Sequence, residues 1–172
     1  MALTRLNNRS ITEVTALPSG VTLPSGTVMP SGSVLQVKYS TYGTQVNNAT
    51  ATYIDLTSIT ITPRDVNSKF FLLANFSWSG RGVLNLFRNT TQLHSHSADP
   101  YVMWGYNQTD WNSNSLRTMV SVTALDTPST TSSITYWVKF RSRSNTAVDS
   151  AAINEQTGSS TISNFTVMEI AG

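Results

Sequence analysis

The clearest pattern in the chain is a strict alternation near residue 134. Ile134, Tyr136, Val138 and Phe140 alternate with Thr135, Trp137, Lys139 and Arg141, the period-two signature of a half-buried strand. Shorter β-type runs cover 34–39, 53–54, 59–62, 118–125 and 161–170, and Pro63 ends the run at 59–62. The run 70–76, Phe-Phe-Leu-Leu-Ala-Asn-Phe, is almost continuously apolar and predicts a central strand buried on both faces. Gly80-Arg81-Gly82 predicts a turn, with 83–88 returning as the second arm of a hairpin. Tyr42-Gly43, Asn47-Asn48 and Asp126-Thr127-Pro128-Ser129 mark loops. About eight strands and no convincing helix predict an all-β fold, an antiparallel β-sandwich of jelly-roll type.

Residues 1–33 follow a different pattern. They contain no aromatic residue and repeat Leu17-Pro18-Ser19-Gly20, Leu23-Pro24-Ser25-Gly26 and Met29-Pro30-Ser31-Gly32, with prolines six residues apart. Pro-Ser-Gly is turn chemistry, and a unit this small cannot bury its own apolar side chains. Two readings stay open: a flexible linker, or an extended arm packed on other chains. In the second, Leu3, Leu6, Leu17, Val21, Leu23, Val28 and Met29 are the partner-binding residues. The chain therefore divides into an arm, 1–33, and a sandwich, 34–172.

Composition agrees with a β-protein. Charged residues are 12% of the 172 and hydrophobic residues 39%, whereas charged residues average about a quarter in soluble domains. Ser, Thr and Asn fill the surface instead. A net charge of +2 gives no reason to expect a nucleic-acid partner. The one local basic cluster, Lys139, Arg141 and Arg143, reads as a charged strand edge that discourages unwanted pairing. There is no cysteine, which excludes disulfides, thiolate metal sites and cysteine nucleophiles. No run approaches the ~18 apolar residues of a membrane span, so no membrane insertion is expected. The opening residues lack the apolar core of a signal peptide, so synthesis in a host cytoplasm is expected.

Catalytic chemistry is hard to assemble from this chain. Only His94 and His96 offer an imidazole base, and no Gly-x-Ser-x-Gly elbow leads into a helix. Asp99 and Asp110 lie in an aromatic stretch but read as ordinary loop acids. No catalytic residue, cofactor or enzyme activity is expected. His94-Ser95-His96 would place two imidazoles on one side of a strand. Two ligands are too few for a structural metal site within one chain, so surface histidines are the plainer reading, and a metal on a trimer axis is the other. Tyr101, Trp104, Tyr106 and Trp111 form either core, a subunit interface, or a recognition surface for a host glycan.

Several segments, taken in order, resemble a known family. They are Met1-Ala2-Leu3-Thr4-Arg5-Leu6-Asn7, Gly32-Ser33-Val34-Leu35-Gln36-Val37, Tyr53-Ile54-Asp55, Ile61-Thr62-Pro63, Leu125-Asp126-Thr127-Pro128-Ser129-Thr130-Thr131-Ser132, Thr135-Tyr136-Trp137-Val138-Lys139-Phe140 and Phe165-Thr166-Val167-Met168-Glu169-Ile170-Ala171-Gly172. Together the chain resembles small virion proteins of tailed phages, especially those of cyanobacteria and marine bacteria. The resemblance implies a homotrimeric β-sandwich. It is found in capsid decoration (cement) proteins and at the distal ends of tail fibres and tailspikes. It carries over no catalytic residue and does not include 94–112. The absence of a long shaft favours decoration of the outer capsid surface. The arm would then hold the major capsid protein, and host-surface adhesion is a further role. The alternative is a short tail-fibre or tailspike tip that binds a host surface glycan.

Overall fold

The computed structural model describes residues 29–80, 82–93, 118–142, 151–153 and 162–172. These residues form ten strands and no helix: β1 (Val34–Tyr42), β2 (Val46–Asn48), β3 (Ile54–Ile61), β4 (Lys69–Gly80), β5 (Gly82–Arg88), β6 (Thr91–Gln92), β7 (Thr118–Asp126), β8 (Ile134–Ser142), β9 (Ala151–Ile153) and β10 (Ser163–Ile170). All pairings are antiparallel.

The first sheet runs β1-β10-β4-β7. The short β9 continues the line of β10 along β4, and β2 pairs with β9. The second sheet runs β3-β8-β5-β6. With β2 and β9 set aside, eight strands remain, in the order of a jelly roll. The two inner faces meet in one core. Phe70, Leu72, Ala74, Phe76, Val122, Phe165 and Val167 come from the first sheet. Leu56, Ile61, Leu84, Leu86, Val138 and Phe140 come from the second. Aromatic pairs cross the gap: Phe70 with Tyr136 at 5.6 Å and Trp78 edge-on to Phe140 at 6.0 Å. Such pairs add about 1 kcal/mol beyond their buried area.

Three expectations need correction. β4 and β5 are not a hairpin, because β4 belongs to the first sheet and β5 to the second. The chain changes sheets at Gly80, whose φ of 82° lies where glycine alone is comfortable. A glycine turn between two apolar runs fits both a hairpin and a corner, and local sequence does not choose between them. β4 is central, but it is not buried on both faces: Phe70, Leu72, Ala74 and Phe76 are buried, whereas Phe71, Leu73 and Asn75 are only partly covered. Asn47-Asn48 is not loop but the end of β2, where buried Asn48 donates to Thr52 O (3.0 Å) and accepts from Thr50 N (2.8 Å).

The third Pro-Ser-Gly unit lies within the described residues and forms a turn. Ser33 N donates to Pro30 O (3.1 Å), with Gly32 at a φ of 86°. Gly32 N donates to Ala171 O (2.9 Å) and Ala171 N to Ser33 O (2.8 Å), so the turn is tied to the strand leaving β10.

One end of the core is polar. A single inward row crosses the first sheet: Gln36, Glu169, Phe70, Asp126. Glu169 is fully buried. Its Oε1 accepts from Arg64 N and Ser68 Oγ, both at 2.6 Å, and its Oε2 accepts from Gln36 Nε2 at 2.5 Å. The carboxylate thus fixes the β3–β4 loop and β1 to β10. Asp126 receives Arg88 of β5 (2.9 and 3.1 Å) and the Tyr136 hydroxyl of β8 (2.7 Å), joining the sheets. Burial, followed by the hydrogen bond to Asp126 and its negative charge, pushes the Tyr136 phenol well above 10.0; Arg88 offsets a small part.

Two predictions follow from this end of the core. Glu169→Ala leaves three donors without their acceptor, and hydrogen bonds to a charged group contribute about 1.5–3 kcal/mol. The variant should lose about 3 kcal/mol in urea unfolding; a loss under about 1 kcal/mol would mean the carboxylate is not the staple. For Tyr136 the folded state favours the protonated phenol. Its contribution is complete below pH 10 and is lost as pH rises above 10, by up to ~1.4 kcal/mol per pH unit. Tyr136→Phe should flatten the fall in stability above pH 10, and an unchanged slope would contradict the assignment.

Candidate functional site

The jelly roll presents two broad outer faces, and the sequence makes them chemically unlike. The outer face of the first sheet is organised in rows across β1, β10, β4 and β7. One row is Val37, Met168, Phe71, Leu125; the next is Tyr39, Thr166, Leu73, Thr123; the third is Thr41, Asn164, Asn75, Ser121. None of these twelve positions carries Asp, Glu, Lys, Arg or His. The first row is wholly apolar; beyond it, at the rim, Val34 pairs with Ile170, and Ile170 pairs in turn with exposed Lys69. Leu125 is 65% exposed, Tyr39 61%, Val37 55% and Val34 54%. The patch spans four strands at ~4.8 Å spacing, or roughly 15–20 Å with side chains. Isolated exposed apolar residues need no explanation, but a contiguous apolar row does. The third row is polar and partly bonded within itself. Asn75 Nδ2 donates to Asn164 Oδ1 (3.1 Å), and Ser121 Oγ donates to Asn75 Oδ1 (2.5 Å). These side chains can be covered without losing those partners.

The inward side of β1 is unusual. Lys38 and Ser40 face not the core but the edge of β3, and Gln36 reaches both that edge and Glu169. Gln36 Nε2 donates to Thr62 O (2.8 Å) and Lys38 Nζ to Thr60 O (2.7 Å), while Ser40 Oγ meets Thr57 Oγ1 (3.0 Å). Side chains thus occupy acceptors that an added strand would need.

The outer face of the second sheet holds an aromatic and ionic cluster. Lys139 Nζ lies 2.8 Å from Asp55 Oδ1 and 5.2 Å from the ring centres of both Phe87 and Trp137. Tyr53 packs edge-on against Phe87 at 5.1 Å, and Arg141 lies 5.4 Å from the Tyr53 ring. Lys139 and Arg141 are therefore not a strand edge. β8 is an interior strand between β3 and β5, and its outward side carries both cations. Each surface cation–π contact contributes about 0.5–1 kcal/mol.

Of the residues singled out from sequence, Met29 is described and is 37% exposed. Leu3, Leu6, Leu17, Val21, Leu23 and Val28 lie outside the described residues, as do His94, His96, Asp99, Tyr101, Trp104, Tyr106, Asp110, Trp111 and Arg143. The other two tryptophans separate: Trp78 is in the core, and Trp137 is on the outer face of the second sheet. Sequence reasoning missed the apolar face. Its signal was present in the unbroken run at 70–73, where Phe71 and Leu73 point outward into a partly covered patch.

No family model and no curated protein matches the sequence. Among solved structures, the chain is similar to that of the infectious bursal disease virus Gx strain, at 12% identity and a TM-score of 0.43, covering 87% of this chain and 37% of that one. It is also similar to the VP2 subviral particle of infectious bursal disease virus, at 12% identity and a TM-score of 0.40, covering 88% and 37%. The chain thus spans little more than a third of the length of these structures.

Proposed function

We propose that the chain is a non-enzymatic structural component of a tailed-phage virion. It acts as a homotrimeric decoration protein that lies on the outer capsid surface and stabilises the shell. The jelly roll hosts coat proteins, lectins and enzymes alike, so the fold by itself does not choose. The observation that carries the reading is the outer face of the first sheet, which over three rows holds no charge and in its first row is wholly apolar, with Lys69 only at the rim. Identical copies meeting around an axis bring like residues close together, and a face without charges meets no like-charge repulsion there. A second copy is therefore the occupant its chemistry fits. The family resemblance supplies the trimer and the virion.

The arm reading has a geometric support. The chain enters the sandwich at the Pro30–Ser33 turn, beside Ala171 and next to the paired Val34 and Ile170. The segment before the turn thus reaches the sandwich at the apolar rim of that face. It is suited to contact the major capsid protein while neighbouring copies cover the face. A partner that binds only assembled capsid stabilises it by mass action. The second reading, a short tail-fibre or tailspike tip, is favoured by the aromatic and ionic face of the second sheet, which suits contact with a surface glycan.

Two outcomes are expected. Val37→Lys and Leu125→Lys replace well-exposed side chains, so each should change monomer stability by no more than about 0.5 kcal/mol. Each should nevertheless shift the protein from trimer to monomer in sedimentation or light scattering; a native protein that is already monomeric would sink the interface. Deleting residues 1–28 should leave a folded trimer that no longer binds purified particles. Antibody labelling along the tail rather than over the head would favour the tail-tip reading instead.

A further inference from the structure

We propose that one end of the sandwich, the end lying over the Gln36–Glu169–Phe70–Asp126 row, docks on the assembled coat through the loops 62–68, 89–90 and 127–133. The inference rests on the decoration reading and adds an orientation to it: this end faces the shell, and the Gly80 end faces away.

The topology separates the two ends. At one, the Pro30–Ser33 turn is bonded to Ala171, the 62–68 loop closes over Glu169, and β7 stops at Asp126 before the 127–133 loop. Asn89 belongs to the same end: its N donates to Thr135 O (2.7 Å), and its Oδ1 accepts from Thr135 N (3.0 Å). At the other end Gly80 pairs with Ala151, Trp78 with Thr118 and Gly82 with Ser142. The twelve residues of β4 set the two ends roughly 35 Å apart. The chain before Met29 enters the sandwich at the first end, so an arm that holds coat protein tethers that end to it.

The loops at this end are held in shape. Beyond the bonds to Glu169, Ser68 N donates to Asp65 O (3.2 Å), Asn67 N to Asp65 Oδ1 (2.7 Å) and Ser132 N to Thr130 Oγ1 (3.0 Å). Among the described residues, the two non-glycine positions with left-handed backbone both lie here: Asn89 (φ 52°) and Ser129 (φ 51°). Asparagine tolerates that region, serine less so, and such strain persists only where the surroundings enforce it. Loops already fixed lose little entropy on binding. Their chemistry is that of a protein contact. Arg64 and Asp65, of opposite sign, are the only charged residues in the three loops. The rest of the exposed surface is mainly hydroxyl and amide, with Val66 46% exposed among them. Such a surface can hydrogen-bond the backbone and amide groups of a coat protein, and it gives a polyanion little to hold.

The chain has no cysteine, so a single introduced one reports its own accessibility. Val66→Cys, Thr131→Cys and Gln45→Cys each replace an exposed residue, the last between β1 and β2 towards the Gly80 end. Each full-length variant is labelled with a maleimide, first free and then after co-sedimentation with purified particles that lack the protein. Free, all three should react at similar rates. On particles, labelling at 66 and 131 should slow about tenfold, while labelling at 45 stays within about twofold. Unchanged labelling at 66 and 131 on particles would overturn the orientation and leave decoration standing. Slow labelling at both in the free protein would mean that copies of the chain cover this end, and would also overturn it. A variant that keeps its circular dichroism but no longer binds supports the proposal if the change is at 66 or 131, and contradicts it if only Gln45→Cys loses binding. Failure of the native protein to co-sediment would instead remove the decoration reading, and this proposal with it.

Discussion

Gln36, Glu169, Phe70 and Asp126 form one inward row across the first sheet, and most of the architecture is referred to it. Two carboxylates in such a place are costly unless every lone pair facing the interior is met. Here the partners come from far along the chain: Gln36 from β1, Arg64 and Ser68 from the β3–β4 loop, Arg88 from β5 and Tyr136 from β8. The row is therefore satisfied only when both sheets are in register. A one-residue slip of β10 would turn Glu169 outward and put Met168 in its place. The hydrophobic core supplies the bulk of the stability, and this row supplies uniqueness.

That arrangement frees the two outer faces to differ. In the first sheet, all the ionic groups of the best-paired region are turned inward or to the rim, which leaves an outer surface of Val, Tyr, Thr, Leu, Met, Phe, Asn and Ser. In the second sheet the order is reversed. Its inner face is apolar apart from Arg88 and the Tyr136 hydroxyl, which reach across to Asp126, and its outer face gathers Asp55, Lys139 and Arg141 among aromatic rings. One outer face is uncharged over three rows, the other aromatic and ionic.

Much of this was legible in the sequence, for definite reasons. β8 has one face in the core and one in solvent, so its alternation places every side chain correctly. The C-terminal end of β3 and the turn at Pro30 follow from proline and glycine geometry. What failed was whatever depended on pairing across the chain. The Gly80 corner looks like a hairpin because a glycine turn between apolar runs is common to both. The Lys139 row looks like an edge because sequence does not show that β3 and β5 flank it. The run from Phe70 looks doubly buried because its outward residues Phe71 and Leu73 are as apolar as its inward ones. Glu169 interrupts the apolar alternation of β10, and nothing local reveals that residues a hundred positions earlier will meet it.

The pairing of β1 with β10 has a temporal consequence. Val37 lies opposite Met168, and these strands come from near the two ends of the described chain. Non-local pairing of this kind is slow, and it cannot begin on a ribosome before β10 has been synthesised. The apolar outer row is assembled from β1, β10, β4 and β7 at once, so it is complete only after β10 has been made and the sandwich has closed. The fold thereby sets the order of events: synthesis of the whole sandwich, then its closure.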